Sequence, residues 1–176
     1  LGDVKVDAVR LDRAVSDLRH RLAPYHARRA DFRPMPTVHT EKLRVNWIDT
    51  DASGRIHYTA ALRYFEVAEH GLMRAILPGG GTPGERLFSL PRVHVEADYK
   101  QALRYPDEFT CAARVEKVGN SSVTYGFEIR NLAGELAISG RIVAVATDPA
   151  GGKLALPESF RAALERAAGA LRDRAG

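Results

Sequence analysis

Cysteine is nearly absent from this chain of 176 residues, with Cys111 the only one. A single thiol can form neither an internal disulfide nor a cysteine zinc cluster, which excludes disulfide-stapled scaffolds and zinc ribbons. Long apolar runs are also missing. None approaches the ~20 residues that a membrane-spanning helix needs. No charged-then-apolar leader opens the sequence as given, so the expectation is a cytoplasmic protein without a membrane span. Aromatic residues make up only 7% of the chain and include one tryptophan. There is no G-x-S-x-G elbow, Walker loop, G-x-G-x-x-G turn or H-E-x-x-H helix. Gly79-Gly80-Gly81 is not followed by Lys-Ser/Thr, so it is a loop and not a phosphate cradle. The six histidines lack metal-ligand spacing, and no metal is expected.

What is present describes a globular protein. Hydrophobic residues at 45% and charged residues at 27% exclude a wholly disordered chain. The length suits one domain, with room for an appendage. The formal net charge is +4, and it is unevenly placed. Residues 1–36 carry eight basic and five acidic side chains, whereas the rest carries 18 and 17. Basic and acidic residues alternate in that first segment, with Tyr25 and Phe32 as its only aromatics, so a nucleic-acid partner is not expected.

Val4, Ala8, Leu11, Val15, Leu18 and Leu22 step by four and three, the stripe of an amphipathic helix over 4–23. Pro24 stops it, and Ala27 to Thr37 reads as a linker. From residue 41 the period changes to two. Leu43, Val45 and Trp47 are expected on the inner face of a half-buried strand, with Lys42, Arg44 and Asn46 outside. The turn-rich run Asp49 to Gly54 leads into a helix over 59–76 with Leu62, Phe65, Ala68 and Leu72 on its apolar stripe. A loop rich in Pro and Gly over 78–84 ends it. Strands follow over 87–99, through Phe109 to Val115, through Val123 to Ile129, and over 136–147. A last helix over 157–173 carries Phe160, Leu164, Ala167 and Leu171 on one side. The expected class is α+β, one long helix packed across a mainly antiparallel sheet, with added N- and C-terminal helices. The expected divisions are an extension over 1–36, a central domain over 37–156 and a terminal helix over 157–176.

Chemistry concentrates at the junction of the first strand and the long helix, where Asp49, Asp51, His57 and Tyr58 lie within ten residues. A carboxylate there sits beside the free N–H groups and positive dipole end of a helix. Such donors can hold a developing oxyanion. From the residues alone, two readings stay open: catalysis, or aspartates that only cap turns.

The stretch Trp47-Ile-Asp-Thr-Asp51-Ala-Ser-Gly54-Arg-Ile-His57-Tyr58, continuing through Leu62-Arg-Tyr64-Phe65-Glu66, resembles the hotdog-fold acyl-CoA thioesterases of the 4-hydroxybenzoyl-CoA thioesterase type. Tyr99 to Asp107 and Gly119 to Tyr125 resemble later segments of that family, and the likeness covers roughly 41–148. The resemblance implies a thioester hydrolase acting on an acyl-CoA or an acyl-carrier-protein thioester. It implies no resident cofactor, because coenzyme A is part of the substrate. Asp51 matches the family's catalytic carboxylate, as nucleophile or general base. Tyr58 matches the position whose backbone N–H polarises the carbonyl. Asp49 would shape the loop. His57, Thr59, Glu66 and Ser122 match substrate-side positions. For Glu66 a buried pair with an arginine is the alternative, and for His57 a solvent-facing role is. Relatives often carry histidine where this chain has Tyr58 and an aromatic where it has His57. Lys100, Arg104, Lys117 and Arg130 are candidate phosphate contacts. Leu62, Phe65 and Met73 are candidates for lining an acyl channel or for plain core packing. The resemblance also implies a homodimer or homotetramer with sites at the dimer interface. A non-catalytic hotdog module that binds acyl-CoA as sensor or scaffold is the rival function. A hotdog dehydratase is disfavoured by the lack of its motif.

Overall fold

The structure is a computed structural model that describes residues 39–77 and 88–172. The helix expected over 4–23, its linker and the loop over 78–84 lie outside those residues. The described chain runs β1 (His39–Arg44), a single 3-10 turn (Trp47–Asp49), α1 (Ala60–Ile76), β2 (Arg92–Tyr99), β3 (Glu108–Val118), β4 (Ser122–Asn131), β5 (Leu136–Val145) and α2 (Glu158–Arg172). All five strands form one antiparallel sheet in the order β1-β3-β4-β5-β2, so β1 and β2 are its edges.

Period-two patterning decides which side chains enter the core. Phe109, Cys111, Ala113 and Val115 of β3 point to one face, as do Val123, Tyr125, Phe127 and Ile129 of β4. Alternation along a strand puts such residues on one side. On that face lies α1, whose Ala61, Tyr64, Phe65, Ala68, Leu72 and Met73 are buried. Phe65 stacks on Phe127 with ring centroids 4.7 Å apart, and Tyr64 packs on Phe109 at the same distance. Gly140 of β5 permits this approach, since a Cβ there would stand 2.3 Å from Phe65 Cε2. Phe160, Leu164 and Ala167 of α2 enter the same core, while Leu171 lies beyond the side chains described.

Two details differ from the sequence expectation. The first strand ends at Arg44, and Trp47, expected inside, opens the 3-10 turn and is 74% exposed. Val45 is the last inward residue, its N–H bonded to Asp107 C=O at 2.9 Å, after which the chain leaves the sheet. The helix stripe is also rotated. Leu62 is exposed, and Glu69 is buried beside Ala68 and Leu72.

Candidate active site

Between β1 and α1 the chain makes a tight loop, and Asp49 fastens it. Asp49 is 3% exposed. Its Oδ2 accepts Tyr64 O–H at 2.9 Å and Asn46 N–H at 3.1 Å, and Oδ1 accepts the Arg63 guanidinium. Its backbone carbonyl accepts His57 N–H at 2.7 Å. The residue therefore ties the strand end to the first turns of α1 and also closes the loop on itself. Burial pushes the Asp49 carboxyl up, but the bonds from Arg63, Tyr64 and Asn46 outweigh it and hold the group below the usual range. Tyr64 is pushed up by burial and by the Asp49 charge, so it stays a protonated donor.

Within the loop, Asp51 N–H donates to Arg55 C=O and Gly54 N–H to Asp51 C=O, both at 2.9 Å. Gly54 takes φ of 73°, in the left-handed region that glycine enters without steric cost. The Asp51 side chain is exposed. Its Oδ1 accepts Ser53 N–H at 2.7 Å and Ser53 O–H at 2.6 Å. This is an Asx turn, in which a short carboxylate bonds the backbone two residues on. Those Ser53 bonds lower the Asp51 pKa, with smaller help from the charges of His57 and Arg55. The result is a carboxylate ionised at neutral pH, with one oxygen saturated and Oδ2 without a donor among the described residues.

Tyr58 and Thr59 lead into α1. Tyr58 N–H meets no acceptor among the described residues, whereas Ala60 N–H is taken by His57 C=O at 2.8 Å. Tyr58 C=O accepts Tyr99 O–H, which links the helix start to the end of edge strand β2. The Tyr58 ring is 69% exposed and lies against His57, centroids 4.4 Å apart. Thr59 N–H donates to His57 Nδ1 at 3.3 Å, and Thr59 Oγ1 lies 2.8 Å from that nitrogen.

Asp51, His57, Tyr58 and Thr59 thus gather in one loop, but the other predicted residues do not join them within the chain. Glu66 is exposed on α1, and the carboxylate of this helix that is buried and paired with an arginine is Glu69, bonded to Arg92. Burial raises the Glu69 pKa and Arg92 offsets only part of that rise. Ser122 opens β4 opposite Val145, whereas the loop contacts the chain just before β3, level with the far end of β4. At roughly 3.4 Å per residue, the length of β4 separates Ser122 from the loop by about 30 Å. Phe65 and Met73 are buried in the core, Phe65 on Phe127 and Met73 under Tyr125. Arg130 is committed to Glu128 and to Gly134 C=O. Sequence reading missed Asn46, Arg63 and Tyr64 as the anchors of Asp49: Asn46 carried a readable signal, its capping-box spacing to Asp49, whereas Arg63 and Tyr64 come from the next element. Ser53 carried a readable signal, the Asx-turn pattern after Asp51. Among the described residues no group of three or more His, Cys, Asp and Glu converges as a metal site, and no helix is long and apolar enough to cross a membrane.

Residues 53–138, just under half the chain, match the family model described as the thioesterase superfamily. No curated protein matches the chain significantly. Solved structures do. A DHNA-CoA thioesterase from Staphylococcus aureus aligns with a TM-score of 0.70 at 21% identity, over 78% of this chain and 95% of that one. A 1,4-dihydroxy-2-naphthoyl-CoA thioesterase from Synechocystis gives 0.65 at 19%, over 72% and 94%. A thioesterase superfamily protein from Jannaschia sp. CCS1 gives 0.67 at 24%, over 77% and 86%. The fold of residues 39–172 is that of these hotdog proteins, α+β with a helix laid in a five-stranded antiparallel sheet.

Proposed function

We propose that this hotdog chain hydrolyses an acyl-CoA thioester to the free acid and coenzyme A, with Asp51 as nucleophile or general base. One observation carries the reading. An ionised, exposed carboxylate is held with one oxygen free, a few residues before a helix start whose Tyr58 N–H has no acceptor among the described residues. Either Asp51 attacks the carbonyl carbon, or it takes a proton from a water that attacks. In both routes the carbonyl oxygen gains charge and Tyr58 N–H donates to it. The C–S bond then breaks, and the sulfur leaves as thiolate and takes a proton; in the first route water then hydrolyses the acyl–Asp51 anhydride, and in the second the attacking water is already part of the acid. Asp49 is not available for this role, because it is buried and both of its oxygens are bonded, to Tyr64 and Asn46 on one side and to Arg63 on the other. The thioesterase names of structural neighbours support the reaction class, and acyl-CoA is favoured over a carrier-protein thioester by those same names.

A homodimer belongs to this reading. Edge strand β2 leaves one row of backbone groups unpaired within the sheet and exposes Val93, Val95 and Tyr99. An open edge bearing apolar side chains is a pairing surface. Tyr99 also bonds Tyr58 C=O, so a partner on β2 would border the site. The test is a thiol-release assay on a panel of aliphatic and aromatic acyl-CoAs, with Asp51→Asn beside the parent. Turnover by the parent and near-background rates for Asp51→Asn support the reading. Equal rates remove Asp51, and tight acyl-CoA binding without turnover by either protein favours the sensor or scaffold.

A further inference from the structure

Helix α1 is fastened to edge strand β2 at two points. Tyr99 O–H donates to Tyr58 C=O at the helix start, and the Arg92 guanidinium donates to Glu69 Oε1 further along. Between these points the helix backbone stands off from β2, whereas it lies close to β1 and β3. Val95 and Tyr99 pair with Ile142 and Ile138, so their side chains share the sheet face that carries α1. Leu62 and Glu69 are seven residues apart on the helix, nearly two full turns, and therefore lie on one side of it. Leu62, Val95 and Tyr99 stay between 37% and 42% exposed. They line an apolar groove that begins beside Tyr58 and is stopped by Glu69 and Arg92.

The stop is polar. Glu69 is 3% exposed, and among the described residues its Oε2 has no hydrogen-bond partner. A buried carboxylate oxygen left unpaired costs about 1–3 kcal/mol or more. Arg92 already balances the charge, so a cation or an anion arriving there would be buried without a counter-charge. A neutral hydrogen-bonding group fits instead. A hydroxyl fits best, because it donates to the carboxylate while its oxygen accepts from Arg92. It also accepts from the carboxylic acid form, which burial favours. Glu69 stands nine residues beyond Ala60, or about 14 Å along the axis. An extended chain advances about 1.2 Å per bond, so a group at Glu69 is roughly a dozen bonds from a carbonyl held at the helix start. A hydroxyl on a single aromatic ring is too close to the carbonyl to reach it.

We propose that Glu69, with Arg92, selects acyl groups that end in a hydroxyl, on a chain long enough to run the groove between α1 and β2. The inference deepens the thioesterase reading and rests on it for the place of the carbonyl beside Tyr58. The test compares hexanoyl-CoA and dodecanoyl-CoA with their terminally hydroxylated counterparts, by calorimetry on Asp51→Asn and by turnover in the parent. The hydroxylated dodecanoyl-CoA is expected to bind about tenfold tighter than the plain one, the worth of one hydrogen bond to a charged group. The hexanoyl pair is expected to show no such preference. In the parent the same ratio should appear in kcat/KM, through KM. Asp51→Asn/Glu69→Leu is expected to lose the preference or reverse it. Asp51→Asn/Glu69→Gln, which keeps the shape of the side chain, is expected to retain part of it and serves if the leucine variant does not fold. Equal affinity within the dodecanoyl pair overturns the inference, as does an unchanged preference in either Glu69 variant. A preference already present in the hexanoyl pair also overturns it, since the hydroxyl would then be read near Tyr58. A hydroxyl preference in binding, with no thioester turnover by the parent, would remove the hydrolase reading and leave this site standing.

Discussion

At Asp51, Ser53 supplies both a backbone and a hydroxyl donor to a single oxygen, so the carboxylate stays ionised well into acid. The acid limb of kcat/KM should therefore lie below the ordinary aspartate value of about 3.9. Ser53→Ala removes one donor and should move that limb to higher pH in a pH-rate profile, while the fold is kept because the position is exposed. Asp51→Asn should lower kcat by about 10²–10⁴-fold, the usual contribution of a positioned acid–base group. Asp49 works differently from its neighbour. Its depressed pKa contributes stability that is present above the ordinary aspartate value and lost as pH falls through the folded value. Asp49→Asn should cost about 1–3 kcal/mol at pH 7 by urea denaturation, since Tyr64 O–H and Asn46 N–H lose an ionised acceptor. The part of the acid-side loss of stability that this carboxyl carries should vanish with it. The Asp-x-Asp spacing was readable in the sequence. Which aspartate is buried was not, because that depends on Arg63 and Tyr64 arriving from the next element.

Helix α1 is held by shape as much as by hydrophobicity. Phe65 is fully buried on Phe127 and over Gly140. Phe65→Ala should cost about 3–5 kcal/mol, the range for a large core aromatic, read from the urea midpoint. Gly140→Val should also destabilise, since its Cβ would overlap Phe65 and the Glu96 carbonyl. Glu69 gives the helix a pH response opposite in sign to that of Asp49. Burial raises its folded pKa above the unfolded value of about 4.3. The folded state then binds more protons than the unfolded one in that window, so this carboxyl's contribution weakens as pH rises through it. Urea midpoints for Glu69→Gln should fall less steeply between weakly acidic and neutral pH than those of the parent. The period of 3.6 made α1 legible within a residue or so. Its rotation was misjudged because Leu62 and Glu69 reverse the usual correlation of polarity with exposure.

For the whole molecule, the open edge of β2 is the feature with the largest consequence. In the proposed homodimer, Val95→Lys should place a charge on the β2 edge and yield monomers by sedimentation at micromolar concentration, where the parent sediments as a dimer. Turnover should fall with dimer content if the interface borders the site, and monomers with full activity would separate the two. The outer face of the sheet carries a different kind of order. Glu116 bonds both Arg114 and Arg141, Arg141 reaches on to Glu96, and Glu128 bonds Arg130. Arg114–Glu116 and Glu128–Arg130 are i, i+2 pairs along one strand, whereas the links from Arg141 to Glu116 and Glu96 cross strands and come only from the register.

The sequence by itself determined the elements and the loop that matters. Periods of two and 3.6 are local properties, as are the Asp-Thr-Asp-x-x-Gly turn and its glycine. The class of fold followed from their order. Only the tertiary structure decided which aspartate is anchored and which is presented, and that Trp47 lies outside while Glu69 lies inside. It also set Arg92 against Glu69, 23 residues apart in the chain. The physical reason is the same in each case. Burial and charge pairing are set by neighbours from distant segments, and these become neighbours only when the sheet closes around the helix.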